Sequence, residues 1–453
     1  MPKPQRIRDP IHDLIEFGVD DFEQMAWSLL ETPEFQRLRR IRQLGFSELV
    51  FPGATHSRFA HSVGVFHTAR QLAGHIGAKL AGADRRRAET AMAAALVHDL
   101  GHGPFSHAFE AFAKKLVKAK KLVKKVRHEE WTIDIIRGDT NVGRILEKFR
   151  PGFREEVAQI IAAPTPQDIY GSIVSSQFDA DRLDYVRRDR VMSGVYHGVF
   201  DCSWLLANLE VDDVPLARDD EPVGTVPAFV LSRKAFQAAE AYVLGLFHLY
   251  FTVYFHKTTR GAEKMLTALL LRLDELLRDG KSPDCGLRGD HPILRFIKDG
   301  TLDQYLRLDD FVIWASFEEM AGAKDPIVNE LATRLRERKL YKAIDVSALL
   351  EHRGGAAATA RFKAKLAEAR RAGAFGPIDL LEDSATRNPY QRHGFETPES
   401  LSKVLIRLSD GTGCEDLRDC SNVVEALEEI TIFRVYVRDD EAREKAMKLM
   451  EGV

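Results

Sequence analysis

Leu96-Val97-His98-Asp99-Leu100-Gly101-His102-Gly103-Pro104-Phe105-Ser106-His107 sets a His-Asp pair directly behind an apolar run. An alanine-rich run over 88–97 ends abruptly in an imidazole and a carboxylate, and two more histidines follow at 102 and 107. Apolar nearly all round, the run predicts a buried helix, so the His-Asp pair is delivered to the lip of a core. Cores exclude such groups unless they are paired or coordinated. Read alone, the pair is either a metal ligand set or a helix cap with loop histidines. Two other stretches supply matching pieces: His61 in Arg58-Phe59-Ala60-His61-Ser62-Val63-Gly64-Val65, and Asp181 in Phe178-Asp179-Ala180-Asp181-Arg182-Leu183-Asp184-Tyr185. Two imidazoles and two carboxylates suit one divalent ion, Mn, Fe, Zn, Co or Mg, rather than soft copper. Such an ion serves as a Lewis acid on a phosphoryl oxygen or acidifies a water.

Composition sets few limits beyond size. A chain of 453 residues, 45% apolar and 29% charged, can bury a large core and is expected to divide into two or three domains. A net charge of −3 carries no global signal for nucleic acid or membrane. Four cysteines (Cys202, Cys285, Cys414, Cys420) form neither a disulfide framework nor a CxxC zinc site, so a reducing cytoplasm is expected. Met1-Pro2-Lys3-Pro4-Gln5-Arg6 lacks the apolar core of a signal peptide, and no apolar run reaches spanning length. A cytoplasmic protein with no membrane partner is the expectation.

Residues 6–17 alternate apolar and polar around a proline and predict a short hairpin or extended arm. A helical pattern starts at Asp21, and Thr32-Pro33 opens a second helix over 34–44 that Gly45 closes. Apolar residues at 65, 69, 72, 76 and 80 predict a helix over 61–80. Further helices are expected at 128–137, 153–163, 171–190 and 202–209, a hairpin at 209–232, and one or two long helices over 232–277. Residues 285–380 read as mixed helix, with 354–360 weakly ordered and no specific function assigned. Strand-like Lys403-Val404-Leu405-Ile406-Arg407-Leu408 and Thr431-Ile432-Phe433-Arg434-Val435-Tyr436-Val437, with helices at 421–429 and 439–451, predict a small α/β subdomain over 385–453.

Several blocks in order carry a resemblance. They are Asp9-Pro10-Ile11-His12, the run from Thr32-Pro33-Glu34-Phe35 to Gln43-Leu44-Gly45, and the run from Phe51-Pro52-Gly53 through Arg58 to Val65. The 98–107 and 179–189 stretches and Val253-Tyr254-Phe255-His256-Lys257 complete the set. Together they resemble the HD-domain metal phosphohydrolases, and within them the deoxynucleoside triphosphate triphosphohydrolase branch. The resemblance is dense over about residues 6–265, with a thinner echo at 421–437. It implies a mainly α fold: an N-terminal arm and first helices (1–50), an HD-type helical core (51–280), a helical extension (281–384) and the α/β subdomain (385–453).

The resemblance also implies roles for individual side chains. His61, His98, Asp99 and Asp181 hold one divalent metal, with Mg accompanying the nucleotide. His102 and His128 give acid/base help near neutral pH, and Glu110, an Asp in vertebrate members, orients His102. Arg58, His107, Arg182 and Lys257 clamp the triphosphate, Arg presenting a fixed fork of donors. Leu246 stands where relatives often carry an Arg, so a phosphate contact is missing there or comes from Lys257 or Arg260. Gln43 and Leu44 contact the deoxyribose, and Tyr185, Asp189 and Tyr254 complete sugar recognition. The implied reaction is attack of water on the α-phosphorus of a dNTP, releasing deoxynucleoside and inorganic triphosphate. A second, activating nucleotide falls on Glu31, Gln36 and Arg39 in a homo-oligomer, dimer or tetramer, although His12-Asp13 departs from the family's His-Gly in the neighbouring arm.

Residues 114–127 carry eight basic residues and no acid, with Leu116, Ala119, Val123 and Val126 on one helical stripe. Steering of polyphosphate, nucleic-acid contact and a solvated insertion all fit that pattern. Two alternative functions stand beside the dNTPase reading: an HD phosphohydrolase or phosphodiesterase acting on another nucleotide or on single-stranded nucleic acid, and a non-enzymatic nucleotide-sensing or nucleic-acid-binding scaffold.

Overall fold

Three helices bring the predicted ligands together. Arg58–Lys79 starts at its N-cap Ser57, Arg85–Val97 at Asp84 and Ala180–Ser193 at Asp179, each cap side chain accepting backbone N–H bonds of the first turn. In the second helix Ala91, Ala93, Ala94 and Ala95 are essentially inaccessible, and side chains this small let neighbouring backbones approach closely. The computed structural model describes residues 3–118, 127–218, 221–388, 390, 399–411 and 413–453. It is mainly helical, and no single helix among the described residues is long and apolar enough to cross a membrane.

The arm is a hairpin, β1 (Gln5–Asp9) and β2 (Asp13–Phe17), antiparallel in the register Gln5↔Phe17 to Asp9↔Asp13. Asp9 Oδ1 accepts the N–H groups of Ile11 and His12 (2.9 and 3.1 Å), which closes the turn. The helix expected over 34–44 is shorter. It runs Pro33–Arg37, tightens into a 3₁₀ turn at Leu38–Arg40 and becomes extended at Ile41. Buried bonding interrupts it. Arg37 is 1% exposed, its Nε donating to Leu308 O (2.7 Å), and Arg42 N–H donates to Asp310 Oδ2 (2.8 Å). The helix expected over 171–190 is likewise two pieces, Ile169–Ser172 and Ala180–Ser193, because Asp179 caps a new start.

Phe236–Leu249 runs into a π-type turn, Tyr250–Tyr254, and the arm that ends there is bent by 56° against Lys257–Arg278. Such turns frequently mark functional sites. Two small sheets flank the helices. β3 (Leu209–Arg218) and β4 (Glu221–Leu231) form the expected hairpin; β7 (Leu405–Arg407) runs parallel to β4, and β8 (Cys414–Asp416) antiparallel to β7. β5 (Lys342–Asp345), β9 (Ile430–Val437) and β6 (Leu380–Arg387) form the other sheet, in the order β5-β9-β6, all antiparallel. The two strands read in 385–453 therefore lie in different sheets, and the second sheet draws β5 from well before that range. Residues 354–360 are not loose: they begin the helix Gly355–Arg371, whose Ala358, Phe362 and Leu366 pack with β9 residues Phe433 and Val435. A helix at Asn141–Phe149 was not expected from sequence.

Gly101 shows why the His-Asp stretch carries a glycine. A Cβ there would lie 2.0 Å from His128 O and 2.3 Å from Thr132 N. The Gly101→Ala variant is expected to lose about 1–3 kcal/mol through overpacking, read as a lower thermal midpoint. A variant that melts with the parent would show that the helix His128–Arg137 moves aside at no cost.

Candidate metal centre

The four predicted ligands converge. His98 is the C-cap of Arg85–Val97, Asp99 follows in the turn, His61 lies one turn into Arg58–Lys79 and Asp181 in the first turn of Ala180–Ser193. His61 Nε2 is 2.9 Å from Asp181 Oδ1 and 3.8 Å from Asp99 Oδ2, and His98 Nε2 is 3.3 Å from Asp99 Oδ1 and 3.7 Å from Asp181 Oδ1. The other ring nitrogens are committed elsewhere. His61 Nδ1 donates to Asp184 Oδ2 (2.8 Å) and His98 Nδ1 to Ala95 O (2.8 Å). Each Nε2 is buried, meets no hydrogen-bond geometry among the described residues, and faces the same carboxylates. Two imidazole lone pairs and two carboxylates aimed at one point fit a divalent cation.

Electrostatics agree. Burial alone would lower the His61 pKa, yet Asp181 and Asp184 push it up to about 10. Positive charge is thus favoured at this point, and a bound cation would take the proton's place. Burial opposes ionisation of Asp99, but Arg58, His98 and His102 hold its carboxyl well below the usual carboxylate range. The strongest of these contacts is Arg58 Nη1 donating to Asp99 Oδ2 (2.5 Å).

Beside the ligands, the rings of His102 and His128 stack at 3.8 Å with an 18° interplanar angle. Asp99, His102 and His128 also bring ligand atoms within 4.8 Å of one another. Stacked rings point their in-plane lone pairs side by side rather than at one ion, which suits proton transfer better than chelation. Burial, with Arg58 and His128 nearby, holds His102 well below the usual imidazole range, and so neutral. Glu110 does not orient His102. Its Oε1 accepts the Nδ1–H of His128 (2.8 Å) and that residue's backbone N–H (3.2 Å), and its Oε2 is 3.4 Å from His107 Nδ1. The helix His107–Lys118 aims this carboxylate at the start of His128–Arg137 rather than back into the turn that carries His102.

A cavity of about 380 Å³ opens over these groups. Of the substrate residues expected from sequence, Gln43, Leu44, Arg58, His107, Arg182, Tyr185, Asp189 and Tyr254 line it. Asp189 is fixed from both sides, by His56 Nε2 (2.8 Å) and Tyr254 OH (2.8 Å). Lys257 lines a different cavity, of about 800 Å³, with Arg338, Lys342 and Arg443, because the chain turns at the start of Lys257–Arg278. Glu31, Gln36 and Arg39 lie outside the candidate pocket: Arg39 Nε donates to Gln36 Oε1 (2.9 Å) and Trp27 Nε1 to Glu31 Oε1 (3.0 Å). Of the stripe read in 114–127, Leu116 is buried, while Ala119, Val123 and Val126 lie outside the described residues.

Sequence reasoning missed Asp184, Arg188, Tyr250, Glu263 and Arg387, and placed His12 only in the arm. Spacing offered one signal: Asp181, Asp184 and Arg188 fall at i, i+3 and i+7, one face of a helix. Nothing local pointed to Arg387.

A model of the HD domain matches residues 58–186, the range that holds all four ligand candidates. The chain is 35% identical over 426 residues to the uncharacterized protein YwfO of Bacillus subtilis, covering 93% of this chain and 88% of that one. It is 27% identical over 395 residues to human deoxynucleoside triphosphate triphosphohydrolase SAMHD1, covering 79% of this chain and only 56% of that protein's length. A crystal structure of a phosphohydrolase from Bacteroides thetaiotaomicron superposes with a TM-score of 0.73 at 25% identity, covering 96% of this chain and all of that one.

The Asp184→Asn variant is expected to weaken divalent-metal affinity by about 10- to 100-fold, measured by equilibrium dialysis with metal analysis. Unchanged affinity would remove Asp184 from a role in holding His61.

Proposed function

The chain belongs to the HD-domain phosphohydrolase family, and from that premise we propose that it hydrolyses deoxynucleoside triphosphates to deoxynucleoside and inorganic triphosphate. The observation that carries the reading is a two-His, two-carboxylate cluster at the floor of a cavity whose wall also presents Arg58, Arg182 and His107. Cations above such a cluster suit a polyphosphate. Its volume of about 380 Å³ falls in the range of small-molecule sites. The relatives named as deoxynucleoside triphosphate triphosphohydrolases favour that substrate class over other phosphate esters.

His61, His98, Asp99 and Asp181 would hold the ion, which when bound supplies Lewis acidity toward a phosphoryl oxygen and acidifies water. Arg58, tied to Asp99 and Ser106, and Arg182 orient the phosphates. His102, kept neutral by burial, accepts a proton from the attacking water as the new O–P bond forms at the α-phosphorus. His128, held by Glu110, delivers a proton to the 5′-oxygen as its bond to phosphorus breaks. Leu44 presents an apolar surface where a ribonucleotide's 2′-hydroxyl would lose its water, and Asp189 and Gln43 offer partners to the 3′-hydroxyl. A homo-oligomer in which Glu31, Gln36 and Arg39 take an activating nucleotide belongs to the same proposal. Its support is the Gln36–Arg39 pair, which sets an amide and a guanidinium edge side by side.

Incubation with Mn²⁺ or Mg²⁺ and each dNTP is expected to yield inorganic triphosphate and deoxynucleoside. Orthophosphate or a nucleoside monophosphate as the product sinks the reading. His98→Ala is expected to lower the rate on the order of 100-fold or more while melting with the parent. Size-exclusion chromatography is expected to show a larger species with dGTP than without; Arg39→Ala should abolish the difference.

A further inference from the structure

Among the described residues four guanidinium groups line the candidate cavity, and three are neutralised. Arg58 lies 2.5 Å from Asp99, Arg182 3.6 Å from Asp179, and Arg260 3.2 Å from Glu263 and 2.5 Å from Asp383. Arg387 differs. Among the described residues it has no carboxylate partner, and its Nε is buried without a hydrogen-bond acceptor. A buried donor left unmatched is costly, and the described residues offer this one no acceptor. The guanidinium carbon sits 4.8 Å from the Tyr250 ring centroid. Stacking on an aromatic face holds the plane in place and leaves the edge donors over.

Arg387 reaches the cavity from outside the helical core. It is the last residue of β6, paired with Ile430 of β9, and comes to the cavity beside the π-type turn. A line of ring contacts leads from the metal ligands toward it: His61 to Tyr185 (6.5 Å), Tyr185 to Tyr254 (6.2 Å) and Tyr254 to Tyr250 (5.0 Å). Arg182, whose charge is felt by Tyr185 and Tyr250, borders the same wall. Were the α-phosphorus of a triphosphate seated over the ligand cluster, Arg182 and Arg387 would border the space left for its remaining phosphates. The end of the wall meets them with an unpaired fork of donors, matched to the oxygens of a terminal phosphate.

We propose that Arg387 binds the terminal phosphate of the substrate, so that the C-terminal sheet selects for polyphosphate length. This rests on the reading of the cavity as a nucleoside triphosphate site.

The test compares the parent with Arg387→Met, which keeps the stem over Tyr250, and Arg387→Lys, which keeps a charge. In Arg387→Met, KM for each dNTP is expected to rise by about 10- to 100-fold. Inhibition by inorganic tripolyphosphate should weaken by a similar factor, inhibition by pyrophosphate should weaken far less, and Arg387→Lys should recover part of the loss. Unchanged tripolyphosphate inhibition, or equal weakening for tripolyphosphate and pyrophosphate, overturns the assignment. A loss that depends on the base, differing between dGTP and dCTP, also overturns it, since the group would then read the nucleobase. Calorimetric binding of tripolyphosphate to the Mn²⁺-loaded parent and to Arg387→Met decides the role of Arg387 even if no dNTP is cleaved. Failure of the phosphate contact is thereby told apart from failure of the proposed reaction.

Discussion

The buried carboxylate of Asp184 is the interaction on which the rest of the arrangement depends. Fully inaccessible, it accepts hydrogen bonds from His12 Nε2 (2.7 Å), His61 Nδ1 (2.8 Å), and Arg188 Nε and Nη2 (2.8 and 2.9 Å). Burial opposes its ionisation, but Arg188, His12 and His61 hold it well below the usual carboxylate range. Arg188 reaches on to Asp9 (2.8 Å), so one network ties the N-terminal hairpin, the helix Arg58–Lys79 and the helix Ala180–Ser193 together. Breaking any member leaves an unpaired charge in the core, which is far more costly than the intact pair is stabilising. Gly64 belongs to the same constraint, because a Cβ there would lie 2.0 Å from Asp184 Oδ1.

The turn that carries the catalytic candidates is braced from a distance in sequence. Phe105 and Ser106 have φ of +53° and +45°, the left-handed region that residues with a Cβ rarely adopt. Asp310 Oδ1 accepts the N–H of Phe105 (2.7 Å), Ser106 Oγ accepts from Arg58 Nη2 (2.9 Å), and Tyr305 OH donates to Gly101 O (2.6 Å). Tyr305 in turn stacks on Trp131 at 4.2 Å. The helical extension, silent when read as sequence, therefore holds the His-Asp turn from beneath. The C-terminal sheet contributes from the other side, with Asp383 paired to Arg260, and Arg387 at the cavity wall.

Legibility followed the range of the interactions involved. Caps and periodicities act within a few residues, so the helices Arg58–Lys79, Arg85–Val97 and His128–Arg137 and the 5–17 hairpin could be read directly. The failures share a cause. The helix after Thr32 stops early because Arg37 and Arg42 bond to Leu308 and Asp310, and the 171–190 helix breaks where Asp179 caps a second start. Residues 354–360 read as loose on account of their glycines, yet they form a helix because Ala358 and Phe362 have a sheet to pack against.

Residue types and their order pointed to two imidazoles and two carboxylates, three of them at or beside a predicted helix end and Asp181 inside the helix expected over 171–190. That was enough for a metal-binding helical core, because ligand chemistry depends on residue type and helix periodicity brings i, i+3 and i+4 to one face. Tertiary structure alone decided which nitrogen of each imidazole is free, that Glu110 serves His128 rather than His102, that Lys257 faces another cavity, and that Arg387 enters this one. Those outcomes depend on directions and distances between side chains on separate elements, some of them more than a hundred residues apart. No local pattern encodes them, since they are set by how the helices and the small sheets pack.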